Sequence, residues 1–275
     1  MHRSKNKINH QFNASIFREY DIRGVVGNSF SAEDAYFIAR AFASKATGQQ
    51  PVIYVCRDGR LSSPDIMKAV CSGVQDSGAG VVDIGVGPTP MLYYAAYKNS
   101  AAGGIMITGS HNPPDHNGLK FVFMNTAFYG ADIQALRIAA EHGAFSSGNG
   151  THQPADIRNE YIEKLLAAYD GVKDLNVAWD AGNGATGEIM SSLCAALPGN
   201  HHPLRAASAI VVGCADRHPI LPRLRREPAR LRPREERFPR GAGFLTLATG
   251  CVDPTQRSPG NEKTPRALGL VAAGF

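Results

Sequence analysis

From Ser31 to Leu197, short β-branched runs alternate with segments of helical length, and at Pro198 the alternation stops. Such a rhythm points to an α/β architecture, because each strand hands the chain to a helix that covers a sheet face. Ser31, with an acid three residues on, opens an amphipathic run with the pattern of a capped helix start. PVIYVCRD (51–58) reads as a strand, SSPDIMKAVCSGVQDSG (62–78) as a helix with Pro64 in its first turn, and AGVVDIGV (79–86) as a strand. PTPMLYYAAYKNS (88–100) then reads as helix, GGIMITGS (103–110) and GLKFVFMN (118–125) as strands, and ADIQALRIAAEHG (131–143) as helix.

The Gly/Ser-rich FSSGNGTHQ (145–153) marks a linker and places a domain boundary near residue 150. Beyond it, DIRNEYIEKLLAAYD, LNVAWDA and GEIMSSLCAAL resume the rhythm as helix, strand and helix to 197. In residues 198–275 the composition shifts: 10 of the 17 prolines fall there and arginine outnumbers lysine by 12 to 1. Spaced prolines interrupt both regular elements, so this stretch reads as a disordered tail, with the abruptness a reading-frame shift would give. The net charge of +5 also originates there, since residues 1–197 carry 16 basic against 18 acidic side chains and the tail 13 against 6. Clustered arginine neutralises nucleic-acid phosphate, but the tail has three Phe and neither Tyr nor Trp for base stacking, which argues against a nucleic-acid partner.

Cys56, Cys71, Cys194, Cys214 and Cys251 are scattered, with neither a metal-ligand spacing nor a disulfide framework. The basic, polar N-terminus lacks a signal peptide's apolar stretch and no apolar run reaches eighteen residues. The expectation is a cytoplasmic chain with no membrane span.

TGSHNPPDHNGLK (108–120), between two expected strands, carries the most chemistry. Two prolines stiffen the loop and its glycines let a substrate approach the backbone, so Ser110 is placed to act as a nucleophile. His111 offers a proton carrier and Lys120 a cation, both suited to phosphoryl transfer, which depends mainly on positioning and charge neutralisation. On residue types alone the segment is equally an ordinary polar turn. Arg57, Asp58 and Arg60, after another strand, read equally as a structural ion-pair network or as part of a site.

TGSHNPPDHNGLK resembles the active-site serine loop of the α-D-phosphohexomutase superfamily, in its phosphomannomutase/phosphoglucomutase branch. IFREYDIRGVVG (16–27) is similar to that family's opening motif, VCRDGRLSSP (55–64) to its next Arg/Asp/Gly block, and VAWDAGNGATG (177–187) to a later segment, so the likeness covers roughly residues 14–197. The opening motif differs from the FGTDGIRG-like form of phosphoglucosamine mutases, which favours mannose and glucose phosphates.

The resemblance implies an α/β first domain with a mixed sheet over residues 1–150 and the beginning of a similar second domain over 151–197. It also implies that Ser110 is phosphorylated and moves phosphate between C1 and C6 of mannose or glucose phosphates through a 1,6-bisphosphate, with glucose 1,6-bisphosphate as activator. Arg23 and Lys120 would then neutralise charge and serve acid/base roles beside the phosphoserine, His111 would assist, and Tyr20 would line the substrate cleft. Hexose phosphates would be the partners of a monomer.

The family holds Mg2+ between the serine phosphate and an aspartate-rich DGDGDR-like loop. Ser110 is the single ligand this sequence offers, so the implied turnover by these residues alone is little or none. Two rival readings are a fragment that binds sugar phosphate weakly without catalysis, and a dinucleotide-binding protein built on Gly182–Gly187 (GNGATG). The second lacks the acid expected about twenty residues on, where the chain reads HHPLRAASA.

Overall fold

The computed structural model describes residues 10–46, 48, 51–169, 176–182, 184–204 and the backbone of the strand 243–245. A short 3-10 turn at Ala14–Ile16 leads into β1 (Ile22–Val25), followed by α1 (Ala32–Ser44), β2 (Val52–Arg57), α2 (Ser63–Asp76) and β3 (Gly80–Val86). Then come α3 (Thr89–Lys98), β4 (Gly103–Ile107), β5 (His116–Phe123), β6 (Thr126–Ala127), α4 (Ala131–Glu141), β7 (His152–Pro154) and α5 (Arg158–Ala167). The last elements are β8 (Asn176–Asp180), α6 (Gly187–Ala196), β9 (Asn200–Leu204) and β10 (Gly243–Leu245).

Seven strands form one mixed sheet in the order β1-β5-β4-β2-β3-β7, with β6 paired to β5. The β1–β5 and β5–β4 pairs are antiparallel, whereas β4–β2, β2–β3 and β3–β7 are parallel. Alternation along each strand divides the core between the two faces of this sheet. Ile53, Val55, Ile105, Ile107 and Leu119 pack with residues of α1, α2 and α4, while Cys56, Val82, Ile84 and Met106 pack with α3, α5 and α6.

The helix starts follow the sequence closely. Ser31 Oγ accepts the Asp34 N–H at 3.1 Å and the Asp34 carboxylate accepts the Ser31 N–H at 2.7 Å, a reciprocal cap that satisfies two amides otherwise left open at α1. α1 and α2 approach so closely at Gly73 that a Cβ there would lie 2.2 Å from the Tyr36 carbonyl oxygen. Phe42, fully buried on α1, packs edge-on or tilted against Phe121, Phe123 and Phe128 and anchors the α1 face of the sheet.

Around the two expected boundaries regular structure continues. Past residue 150, β7 adds to the β3 edge of the first sheet, and Ile157 and Tyr161 bury against the same core as Met91 and Leu92. The reason is local, since Gly148 and Gly150 donate backbone bonds to Asp76 and Gln75 and so lay the linker along the end of α2. Regular structure also continues past Pro198, where β9 runs parallel to β8 and Trp179 Nε1 donates to His201 Nδ1 at 2.8 Å. β9 takes an outer position in the order β10-β8-β9, where Pro203 is tolerated. β10 pairs with β8 in parallel on the other side, and the rest of the tail read as disordered, 205–242 and 246–275, lies outside the described residues. None of the described helices is long and apolar enough to cross a membrane.

Burial fixes the state of two thiols. Cys56 and Cys71 are buried, and loss of hydration pushes both up to about 12. Native protein at pH 8 is expected to leave both unalkylated by iodoacetamide and to yield them in urea, as localised by mass spectrometry. Because the folded thiols hold their protons more tightly than the unfolded ones, their contribution to stability is present below about pH 8.5, the unfolded thiol's range, and is lost as pH rises from there towards 12. Urea midpoints measured at pH 8 and pH 10.5 are expected to fall accordingly.

Candidate active site

The loop between β4 and β5 is held in a conformation that a serine adopts only under constraint. Ser110 sits in the left-handed region at φ +53°, its N–H donating to Thr108 Oγ1 at 2.9 Å. Asn112 turns back on the loop through its backbone N–H and its side-chain amide, both donating to the Gly109 carbonyl. The Ser110 side chain points outward, with Oγ 3.3 Å from Nδ1 of the exposed His111. The left-handed turn at Ser110 thus brings the hydroxyl and the imidazole of consecutive residues within reach of each other.

Beneath the loop lies the Asp58–Arg60 pair. Asp58 accepts the Gly109 N–H at 3.1 Å, the Arg60 N–H at 3.0 Å and the Ser63 hydroxyl at 2.6 Å, which ties the loop to the start of α2. The Arg60 guanidinium donates to the carbonyls of Pro113 (2.6 Å), Asn112 (2.7 Å), Ser110 (3.0 Å) and His116 (3.0 Å), and its Nε lies 3.2 Å from Asp58. Buried Asn117 completes the support, its amide donating to both Ser62 and Ser63. Arg57 stays to the side and donates to the Asp58 carbonyl.

Arg23 and Lys120 come together because β1 pairs with β5. Arg23 stands opposite Gly118, whose carbonyl binds the Thr108 N–H, so Arg23 is level with the root of the serine loop. Positions 21, 23, 118 and 120 share one face of this ribbon by strand alternation. Buried Asp21 sits between the two cations, hydrogen-bonded to Arg23 and 4.0 Å from Lys120 Nζ. Asp21 was not singled out in the sequence, although an acid two residues before an arginine in a strand was the available signal. Tyr20, next to Asp21 in the chain, is 63% exposed and stacked on Tyr129 with ring centroids 6.0 Å apart.

Among the described residues no three His, Cys, Asp or Glu side chains converge, so the donor set here does not form a magnesium cage and no step is derived through the metal. A cavity of about 700 Å³ lies at the end of β3, lined by residues including Asp83, Arg158, Gly184 and Glu188; none of the serine-loop residues line it. Its edge includes the GNGATG turn, which joins β8 to α6 in a β-α-β unit. No acid stands in β9 to meet a ribose, so the dinucleotide reading gains nothing from this topology.

The profile described as "Phosphoglucomutase/phosphomannomutase, alpha/beta/alpha domain I" matches residues 14–143. A phosphomannomutase/phosphoglucomutase of Pseudomonas aeruginosa is 42% identical over 205 residues, which cover 69% of this chain and 44% of the relative. A phosphoglucomutase of Neisseria gonorrhoeae is 40% identical over 181 residues, covering 65% and 39%. The crystal structure of a phosphoglucomutase/phosphomannomutase family protein from Burkholderia thailandensis superimposes with a TM-score of 0.67 at 37% identity, over 71% of this chain and 45% of that one. The chain thus spans less than half the length of these relatives.

Proposed function

Because this chain belongs to the phosphoglucomutase/phosphomannomutase family, whose first α/β/α domain it carries, we propose that Ser110 is a phosphoryl carrier for hexose phosphates. One observation supports this most: Ser110 Oγ is held outward in a left-handed turn, 3.3 Å from an imidazole, on a loop rooted beside Arg23 and Lys120. A phosphoserine carries a charge of about −1.5 to −2, and the two cations on the adjoining ribbon are suited to meet it. Asp21 fixes their positions while leaving the local charge positive by one.

In this reading, Ser110 Oγ attacks the phosphorus of a hexose 1,6-bisphosphate. The bond from phosphorus to the sugar oxygen breaks, the hydroxyl proton passes to His111 Nδ1, and the sugar oxygen leaves as a hydroxyl once it gains a proton. The reverse transfer returns phosphate to C1 or C6 of mannose or glucose monophosphate and restores Ser110. Magnesium, when bound, would supply further neutralisation of the phosphate oxygens, with the phosphate on Ser110 as this chain's contribution. The residues described here complete the phosphoserine half of the exchange, so net conversion of 1-phosphate to 6-phosphate by them alone is expected to be slow.

The full chain, incubated with magnesium and glucose 1,6-bisphosphate, is expected to take up close to one phosphate, located on Ser110 by mass spectrometry. Added glucose 1-phosphate is expected to yield little glucose 6-phosphate. Phosphate on another residue, or on none, would overturn the assignment.

A further inference from the structure

We infer that Arg60 is a positioning residue that sets the serine loop's geometry from beneath, so that Ser110 is presented in the same way whether or not it carries phosphate. The inference rests on Ser110 being the phosphoryl carrier, but its evidence is separate. Arg60 is 4% exposed, and its planar fork is occupied by Asp58 and by four carbonyls drawn from residues 110 to 116. Arginine is suited to this because its donors have fixed directions, whereas a lysine ammonium is a point charge on a flexible stem. Asp58 balances the buried charge and also holds the Gly109 N–H, so the pair grips the loop by both backbone polarities.

Two further features follow from this grip. A Cβ on Gly109 would lie 2.3 Å from the Arg60 guanidinium, so the loop rests directly on the fork and position 109 must be glycine. A trans peptide directs its N–H opposite to its C=O. The Ser110 carbonyl is bound to Arg60, so the His111 N–H is turned away from the guanidinium, toward the outer side of the loop where a phosphate on Ser110 would be met. Two of the other carbonyls that Arg60 binds, on Asn112 and Pro113, precede prolines, which carry no N–H to orient. The cation therefore acts on the transferred group only through the backbone.

The test compares the full chain with Arg60→Lys, Arg60→Ala and Asp58→Asn in two measurements. Phosphate uptake at Ser110 is timed over a range of glucose 1,6-bisphosphate concentrations, with and without millimolar guanidinium; loop exchange is followed by hydrogen–deuterium exchange of 109–117. Misplacement of reacting groups by about 1 Å costs about 100-fold, so the maximal uptake rate is expected to fall by about that factor in Arg60→Ala with the half-saturating concentration little changed. Guanidinium is expected to recover part of the loss in Arg60→Ala and none in Asp58→Asn. Amides of 109–117 are expected to exchange faster in all variants while those of β2 and β4 keep their protection.

Wild-type rates with unaltered loop exchange in Arg60→Lys and Arg60→Ala would overturn the inference. If the unmodified chain takes up no phosphate, the phosphoryl-carrier reading fails, while the exchange data still decide whether Arg60 holds the loop. Should Arg60→Ala lose protection throughout the sheet, Arg60→Lys, which keeps the charge and most of the volume, carries the comparison.

Discussion

Ser110→Ala is expected to reduce phosphate uptake from about one equivalent to none, with the far-ultraviolet circular dichroism unchanged. No other hydroxyl on the loop is placed to substitute, since the Thr108 oxygen is committed to the Ser110 N–H and Thr108 is buried. Ser110→Gly gives a second readout that separates chemistry from conformation. A left-handed residue with a Cβ costs about 1–2 kcal/mol, and glycine returns about 0.4–1 kcal/mol of that through the greater freedom of the unfolded chain. The glycine variant is therefore expected to be equally unable to accept phosphate but more stable by up to about 1 kcal/mol, read from urea midpoints. A fall in stability would show that the turn at 110 is not strained.

The largest loss of stability from a single substitution is expected at Gly73→Val. Valine and glycine differ by only a few tenths of a kcal/mol in helix propensity, so almost all of the effect reports contact. The Cβ would stand 2.2 Å from the Tyr36 carbonyl oxygen and 3.2 Å from the Arg40 nitrogen, both backbone atoms of α1 that cannot rotate aside. Overpacking typically costs 1–3 kcal/mol where side chains can yield, and here the helices themselves must separate. A loss of about 3 kcal/mol or more is expected, a large share of the roughly 5–15 kcal/mol that holds a domain together. A urea midpoint within error of the parent would mean that α1 and α2 are farther apart than described.

Much of the fold was legible because the signals were local. The reciprocal cap at Ser31 and Asp34, Pro64 in the first turn of α2 and the buried run of β4 each encode their element within a few residues. The serine loop was equally legible, since its Gly, Pro and Asn residues are consecutive. What could not be read were the long-range pairings. Asp21, Arg23 and Lys120 form a group only once β1 and β5 are adjacent, and nothing within IFREYDIRG names its partner strand. The role of Arg60 was hidden for a related reason: four of its acceptors are main-chain carbonyls, which leave no trace in side-chain identity. β9 was missed because its residues are mostly exposed and include a proline, so neither alternation nor composition marked it as a strand.

The pairing of β1 with β5 also sets a timetable. During synthesis at about 5–20 residues per second, the opening strand leaves the ribosome several seconds before its mate has been made. Through that interval Arg23 has no ladder to stand on, although α1 and α2 already have each other. Contacts spanning nearly a hundred residues are slow to form in any chain. The Asp21–Arg23–Lys120 group thus forms only after β5 is made, and a nascent chain stalled before residue 116 would hold α1, α2 and α3 with β2, β3 and β4 but lack the strand that brings Lys120 to Asp21.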